Sequence, residues 1–291
     1  MKTLVVTTGV PEWIMDTLLS SLYKVGYTGD VLVVSYGDFT VEQKAHIKYA
    51  FKDKVKVVEQ RRVYAAYTAD RFRAYDIVLK DIYQNYDVIM SVDGNDIEFL
   101  KPIDELLEMA KTEICAVHNG ETCEVAPKFH WITWKKLPPE YWEAIKTNYG
   151  YCMGMTVGPA DQMYFVFKAL ARYLEGEGNN VFGSDLLMFN AFVWYEGLHV
   201  KAVDPKWNTS LNFVLEGRNG YTQKNLEDSC ILHTASTTPA VLARNPHKKL
   251  DLTIAENWKV NTEDKPEEKP KPKTWNPIRP NKSKPLFPKR P

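Results

Sequence analysis

Two aspartates stand at the end of an apolar run in the stretch SVDGNDIEF, residues 91–99. Asp93 and Asp96 are three residues apart across a Gly-Asn pair. Carboxylate oxygens suit hard cations such as Mg²⁺ and Mn²⁺, and these ions usually keep positions open for substrate phosphates. Gly94 permits a tight turn, so both carboxylates can face one ion. Asp, Gly and Asn are also the commonest turn residues, which leaves an ordinary acidic turn as the competing interpretation.

The elements around this motif predict where it lies. Five short runs rich in β-branched residues are typical of strands, at residues 3–8, 30–35, 55–59, 88–92 and 114–118. Three segments between them, residues 12–25, 41–51 and 69–86, have apolar residues at helical spacing. This alternation predicts an α/β fold with a mostly parallel central sheet and helices on both faces. In such sheets the ligand crevice lies beyond the carboxyl ends of the strands, where the acidic motif begins.

The residues after the aspartates carry a family resemblance. DVIMSVDGNDIEFLKPIDEL resembles the motif of GT-A fold glycosyltransferases, in which an apolar strand runs into Asp-x-Asp and then I-x-F-x-x-P-I-D-E-L. Aligned on FLKPIDEL, Asp96 takes the place of the second acid and Gly94 that of the first, with Asp93 one position earlier. This Asp-x-x-Asp form is similar to the variant in collagen-type galactosyl- and glucosyltransferase domains.

The resemblance covers roughly residues 3–236 and implies both a fold and a cofactor. It implies a single GT-A domain, Rossmann-like, with a mixed and mostly parallel sheet. Asp93 and Asp96 are then expected to hold a divalent ion, Mn²⁺ or Mg²⁺, that bridges the diphosphate of a nucleotide sugar. Families of this type commonly take a third ligand from a late histidine, and His233 in CILHTAS is the candidate. Imidazole beside carboxylates suits Mn²⁺ more than Mg²⁺. A buried, hydrogen-bonded histidine is the alternative.

A basic residue that holds the nucleotide or its phosphates is also implied. Arg71 and Arg73 stand near the start of the helix that leads to the acidic strand, and a guanidinium offers a planar fork of donors. We expect Arg73, in a family-like Arg-Ala-Tyr sequence, to bind the donor. An ion pair with Asp70 or Asp76 on the helix surface is the alternative for either arginine.

Three more positions are expected to line the donor site. Thr8 and Gly9 end the first predicted strand, where such folds receive the base and ribose. YCMGMTVGP resembles the Asn-x-Gly segment that lines the sugar site, with Gly154 allowing close backbone approach. In this chain Cys152 stands where the family usually has the Asn.

A later acidic residue is the catalytic candidate. NNVFGSDLLMFNAF resembles the motif in which an Asp near a helix N-terminus faces the donor sugar. Asp185 is then expected to bind sugar hydroxyls or to act as a base toward the acceptor. Capping of the helix by Ser184 or Asp185 is the alternative.

Composition limits the partners. The 291 residues are 44% hydrophobic and 25% charged, as in soluble globular proteins, and the net charge of zero argues against a dedicated nucleic-acid binder. The four cysteines show no CxxC pairing, so a reducing, cytoplasmic setting is expected. Neither a secretory signal nor an apolar run long enough to span a membrane is expected.

The C-terminal segment differs from the rest of the chain. Residues 262–291 hold 8 of the 17 prolines and nine basic against four acidic residues. Proline favours extended backbone, so we expect a glycosyltransferase domain at residues 1–261 and an extended or disordered Pro/Lys-rich tail at 262–291. The tail is either solvated or a basic arm for peripheral recruitment to a partner or acidic surface.

These features predict a metal-dependent transfer of sugar from a nucleotide-diphosphate donor to a hydroxyl acceptor, such as a glycan or a protein-linked sugar. A catalytically silent member of the fold, acting as a binding module or scaffold, is the first alternative. A sugar-phosphate nucleotidyltransferase is the second, and TTGVPEW lacks the glycines and basic residues that such enzymes carry after the first strand.

Overall fold

A seven-stranded sheet forms the centre of the molecule, in a computed structural model that describes residues 1–64, 66–125, 137–175, 183–215 and 217–234. Its strands are β1 (Thr3–Thr8), β2 (Asp30–Ser35), β3 (Val55–Glu59), β4 (Val88–Asp93), β6 (Ile114–Thr122), β7 (Tyr149–Pro159) and β8 (Val200–Ala202). The order across the sheet is β3-β2-β1-β4-β7-β6-β8. Strands β1 to β4 pair in parallel, β6 pairs in parallel with β8, and β7 is antiparallel to both neighbours. The predicted mixed, mostly parallel sheet is confirmed.

Helices cover both faces of this sheet. They are α1 (Pro11–Trp13), α2 (Ser20–Lys24), α3 (Val41–Phe51), α4 (Tyr67–Leu79), α5 (Asp104–Met109), α6 (Pro139–Ile145), α7 (Ala160–Leu174), α8 (Ser184–Trp194), α9 (Leu211–Leu215) and α10 (Gln223–Asp228). The predicted helix at 12–25 has a π-helical stretch, Ile14–Leu19, between α1 and α2. The predicted helix at 69–86 ends earlier, at Leu79, and a 3₁₀ turn follows at Tyr83–Asn85.

Alternation along the buried strands divides the core in two. Leu4 and Val6 of β1 face a cluster that includes helices α4, α7 and α8, whereas Val5 faces a second cluster that includes α5. On the first face α4 packs on α7, where the Phe167 ring lies 5.3 Å from that of Tyr75. Helix α4 is thereby fixed beside β4, which positions the side chains at its N-terminal end.

A second, three-stranded sheet was not predicted. It has the order β5-β10-β9, with β5 (Ile97–Phe99), β9 (Thr209–Ser210) and β10 (Ile231–His233). These strands are two or three residues long, too short for periodicity to reveal them. The sheet joins the segment after the acidic motif to a segment more than 130 residues later in the chain.

Some predictions fall outside the described residues. The tail at 262–291 and the domain boundary at 261 lie there, so the two-part division of the chain stays a prediction. Within the described part of the chain, no helix is both long enough and apolar enough to cross a membrane.

Candidate metal and donor site

The acidic turn is attached to the end of β1. Asp93, the last residue of β4, pairs in register with Thr8, the last residue of β1. The Gly94 N–H donates to the Thr8 carbonyl at 3.2 Å, and the Val10 N–H donates to Asn95 Oδ1 at 2.7 Å. The turn therefore lies at the carboxyl edge of the parallel strands, as the sequence predicted.

Two glycines make this attachment possible. A Cβ on Gly94 would lie 2.5 Å from the Thr8 carbonyl oxygen, and one on Gly9 would lie 2.6 Å from the Gly94 carbonyl carbon. Gly94 is not among the residues with positive φ. Its role is thus to allow close backbone approach, and the tight turn expected at Gly94 does not require a left-handed backbone angle. Gly9 directly follows β1 and lies beside the acidic turn.

The small sheet brings the histidine to the aspartates. His233 of β10 pairs with Ile97 of β5, and the Thr234 N–H donates to the Asp96 carbonyl at 2.8 Å. His233 Nε2 lies 3.3 Å from Asp96 Oδ2 and 3.7 Å from Asp93 Oδ2. One ligand atom from each of the three residues lies within 4.8 Å of the other two. The Asp-x-x-Asp spacing therefore does bring both carboxylates to one point.

The surroundings of His233 favour a positive charge. Burial alone lowers the pKa of its imidazole, but the Asp96 carboxylate and the Cys152 thiol outweigh burial and raise that pKa well above its ordinary value. A Cβ on Gly154 would lie 2.3 Å from His233 Cε1 and 3.2 Å from Asp93 Oδ2. Glycine at 154 therefore leaves the space that the imidazole fills.

These three residues fit a divalent cation. Two carboxylates and one imidazole converge on one point, and the excess negative charge there is what raises the pKa of His233. This donor set suits Mn²⁺ and Mg²⁺, with the imidazole favouring Mn²⁺. Asp93 is the most exposed of the three, so the site opens on its side.

Arg71 bridges the two acidic motifs. Its Nη1 donates to Asp93 Oδ1, and its Nη2 donates to Asp185 Oδ2 at 3.0 Å. The arginine side chain is only 5% exposed. Asp93 thus uses Oδ1 for the guanidinium and turns Oδ2 toward His233. Residues 71, 93 and 185 form one charge network, in which Arg71 and Asp185 are buried and Asp93 is half-buried.

Asp185 faces this network from the first turn of α8. Gly183, with φ +81°, is the N-cap residue and makes no side-chain cap, while Asp185 turns its carboxylate to Arg71. Burial raises the pKa of Asp185, and the charge of Asp93 adds to that effect, whereas Arg71 opposes it. Asp185 is therefore held in place by Arg71, beside the candidate metal site.

Arg73 lies elsewhere. Its Nε and Nη2 donate to the buried carboxylate of Asp70 at 3.0 and 2.9 Å, and Nη2 also donates to the Arg61 carbonyl. Because successive residues turn about 100° around a helix, residues 71 and 73 point in nearly opposite directions. The ion pair considered as the alternative is thus what Arg73 forms. The arginine at the acidic cluster is Arg71.

A sequence signal for Arg71 was available. Arg71, Tyr75 and Leu79 follow each other at four-residue spacing, so Arg71 continues a stripe that is apolar and buried. Arg73 is followed at helical spacing by Asp76 and Lys80, which mark the polar side.

Thr8 and two tyrosines lie in contact at the carboxyl edge of the sheet. Thr8 Oγ1 donates to the Val34 carbonyl at 2.9 Å and lies 2.6 Å from the hydroxyl of Tyr67. The Tyr67 ring meets Tyr36 edge-on at 5.3 Å. Tyr64 belongs to the core. Tyr67 and Tyr36 therefore lie together beside Thr8, the last residue of β1.

Comparison with known proteins identifies the fold. No family model and no curated protein matches the chain. The structure is similar to that of an active-site mutant of LgtC, with a TM-score of 0.58 and 9% identity over 87% of this chain and 94% of that one. The structure is also similar to that of the galactosyltransferase LgtC in complex with donor and acceptor sugar analogues. Here the TM-score is 0.53, and the identity is 10% over 87% of this chain and 93% of that one.

A third solved structure agrees. The apo form of the glycosyltransferase GlyE of Streptococcus pneumoniae has a TM-score of 0.51 and 14% identity over 81% of this chain and 55% of that one. At such identities the likeness concerns the fold. The GT-A fold implied by the acidic motif and FLKPIDEL is confirmed.

Proposed function

We propose that this protein is a metal-dependent glycosyltransferase that moves a sugar from a nucleotide-diphosphate sugar to a hydroxyl acceptor. The observation that carries the proposal is the convergence of Asp93, Asp96 and His233 at the carboxyl edge of a GT-A sheet. The Arg71–Asp185 pair beside them supports it.

Asp93, Asp96 and His233 would hold the divalent ion. When bound, such an ion neutralises the charge that develops on a leaving diphosphate. Thr8 and Gly9, at the end of β1, would receive the base and ribose, and Tyr67 offers a ring for stacking beside them. Gly154 keeps the backbone of β7 close to His233 and Asp93, so the site stays narrow.

Arg71 and Asp185 would act on the sugar side. We assign to Arg71 the donor-binding role that the sequence suggested for Arg73, because the guanidinium of Arg73 is bonded to Asp70. Asp185 would accept hydrogen bonds from sugar hydroxyls or take the acceptor proton. Its bond to Arg71 fixes the direction in which its carboxylate points, and a fixed donor or acceptor costs no reorganisation during reaction.

The setting of the reaction is part of the proposal. The four cysteines are free and buried, which supports a reducing, cytoplasmic location. The acceptor would be a glycan or a protein-linked sugar, and the basic tail would recruit the enzyme to it.

A panel of nucleotide sugars tests the function. The full chain is incubated with each donor, with Mn²⁺, with Mg²⁺ or with chelator, and free nucleotide release is measured. We expect release from at least one donor that requires the metal. The matched variant Asp96→Asn, which keeps the shape of the side chain, should lose it. Nucleotide binding without turnover for any donor would favour the binding module. The absence of both nucleotide binding and turnover would overturn the proposal.

A further inference from the structure

A second set of polar and aromatic side chains lies at the carboxyl edge of the sheet, apart from the aspartates. Strand β7 runs antiparallel to β4, and β6 runs antiparallel to β7. The end of β6 and the start of β7 therefore lie at the same edge as the candidate metal site. His118 of β6 and Tyr149 of β7 meet there, with their ring centroids 5.2 Å apart.

Tyr149 presents an aromatic ring to solvent at this edge. The residue is 43% exposed. Its hydroxyl accepts a hydrogen bond from Asn219 Nδ2 at 3.1 Å, and its backbone carbonyl accepts one from Trp194 Nε1 at 3.3 Å. Because the hydroxyl and the backbone are both held, the exposed ring has a fixed orientation.

His118 adds a hydrogen-bond donor beside this ring. The Gly120 N–H donates to His118 Nδ1 at 3.1 Å. Nδ1 must be unprotonated to accept that bond, so the proton of the neutral ring is on Nε2. Burial lowers the pKa of His118, which keeps the imidazole in this neutral form. The Nε2–H group is therefore a donor for a bound molecule.

The loop that carries Asn219 is fixed by buried contacts. The Arg218 side chain is 3% exposed, and its Nη1 lies 3.3 Å from Glu121 Oε2. The Tyr221 hydroxyl donates to the His118 carbonyl at 2.8 Å. Groups that are ordered before binding lose little freedom when a ligand arrives. The charges of Arg218 and Glu121 balance each other, so a neutral ligand fits this surface better than an anionic one.

Two routes through the fold give the separation from the proposed reaction site. Gly154 of β7 abuts the metal ligands, and Tyr151, which pairs with β6 at the aromatic site, comes three positions earlier. An extended strand rises about 3.3 Å per residue, which gives about 10 Å. Asp185 lies in the first turn of α8, and Trp194, which bonds to Tyr149, ends that helix. The helical rise over that length gives about 14 Å.

We propose that His118, Tyr149 and Asn219 form an acceptor subsite that binds a neutral pyranose ring. The apolar face of such a ring can lie on Tyr149, while its hydroxyls bond to His118 Nε2–H and to the Asn219 amide. This inference rests on the proposed sugar transfer and adds the residues that would hold the acceptor. A separation of about 10 to 14 Å leaves room for the donor sugar between the metal and this subsite.

Binding of methyl glycosides to the full chain tests the subsite without donor or metal. The methyl pyranosides of glucose, galactose, mannose and xylose are titrated and followed by saturation-transfer NMR, with methyl glucuronide as the anionic probe. We expect at least one neutral glycoside to bind, and methyl glucuronide to bind more weakly.

Three variants locate the site. Tyr149→Ala should weaken glycoside binding by about tenfold, the effect of losing one aromatic contact. Tyr149→Phe keeps the ring and should stay within about threefold of the wild type, because only one exposed hydrogen bond is lost. Tyr49→Ala, at a tyrosine of α3 that is 86% exposed, is the matched control and should bind as the wild type does.

The outcomes separate this inference from the proposed function. Wild-type protein that binds no glycoside, or that binds methyl glucuronide as tightly as the neutral glycosides, would overturn the subsite. Wild-type affinity in Tyr149→Ala would do so too, as would equal losses in the Ala and Phe variants, because the ring would then not hold the sugar.

Nucleotide release connects the subsite to the reaction. The glycoside that binds should accelerate metal-dependent release of nucleotide from a donor, and binding without acceleration would refute the acceptor role alone. Absence of release from every donor would refute the proposed function and the acceptor role with it, even where a glycoside binds.

Discussion

Two arginines of α4, two residues apart, show how differently this fold uses buried charge. Arg71 joins Asp93 and Asp185, which come from two other elements of the fold. Arg73 pairs with Asp70 of its own helix. The Asp70 carboxylate also accepts the Val63 and Tyr64 N–H groups at 3.0 and 2.9 Å, which ties the preceding loop to α4.

The two clusters differ in how completely the charges are balanced. The Asp70 carboxylate accepts hydrogen bonds from one guanidinium and from two backbone N–H groups. Burial alone would raise its pKa, but these hydrogen bonds outweigh burial and lower it. In the Arg71 cluster one guanidinium faces two carboxylates, and burial, together with the charge of Asp93, raises the pKa of Asp185 although Arg71 opposes both. A balanced cluster stabilises the fold. A cluster with surplus negative charge can bind a further cation. We therefore interpret the Asp70 cluster as structural and the Arg71 cluster as functional.

The largest effect is expected from Arg71→Met. Loss of the guanidinium leaves Asp93 and Asp185 facing each other without a cation and frees both carboxylates to turn. Donor turnover should fall by about a thousandfold, the upper range for removing one preorganised electrostatic contact. Initial rates of nucleotide release at saturating Mn²⁺ measure it. Arg73→Met is the matched variant, and its turnover per folded molecule should stay within about twofold. Equal losses of turnover in the two variants would show that Arg71 has no special role in the reaction compared with Arg73.

The free energy of unfolding should depend on the cluster of Asp70 and Arg73. Asp70→Asn removes the charge that compensates Arg73 and should lower the free energy of unfolding by about 3 kcal/mol, as when a buried pair loses one partner. Urea unfolding followed by far-ultraviolet circular dichroism measures this. Asp81→Asn, at an exposed carboxylate just after α4, is the control and should change stability by less than about 0.5 kcal/mol. A stable Asp70→Asn protein with impaired turnover would assign the Asp70 cluster to function.

Much of this arrangement was open to sequence reasoning, and the exceptions have physical causes. The strands and the edge position of Asp93 follow from β-branched runs and helical spacing. The convergence of His233 on Asp96 depends on strands of two or three residues that pair across the chain, and no local pattern encodes such pairing. The choice between Arg71 and Arg73 required the direction of each side chain around α4, which the stripe of Tyr75 and Leu79 does supply.

Gly154 of β7 allows a steric test of the metal site. In Gly154→Ala the new methyl group would overlap His233, so Nε2 must move from Asp93 and Asp96. Mn²⁺ affinity should fall by about 10- to 100-fold, in line with other changes that misdirect a ligand. Gly158→Ala is the matched control on β7, because its Cβ would press on Ile114, which belongs to the core. That variant should lose stability and keep its Mn²⁺ affinity, and the reverse pattern would contradict the site.

The smallest effect expected is a difference in acid sensitivity between the two clusters. Asp70 has a lowered pKa in the folded protein, so its contribution is present above the unfolded pKa of about 3.9 and is lost as the pH falls through the folded value. Asp185 has a raised pKa, so folding takes up a proton there and acid favours the folded state. Asp70 and Asp185 therefore make the free energy of unfolding depend on pH in opposite directions. Their arginine partners, Arg73 and Arg71, nevertheless lie two residues apart on one helix.

Unfolding of metal-free variants between pH 7 and pH 3.5 tests this opposition. Asp70→Asn should lose less stability than the wild type does over that range, because the variant has no ionised carboxylate to protonate there. Asp185→Asn should lose more, because the group that gains from acid is gone. The sign of each departure from the wild-type slope is the result that matters, and the two departures should have opposite signs. Parallel slopes in the two variants would mean that the pKa values of Asp70 and Asp185 are not shifted in opposite directions in the folded protein, which would contradict this contrast between the two clusters.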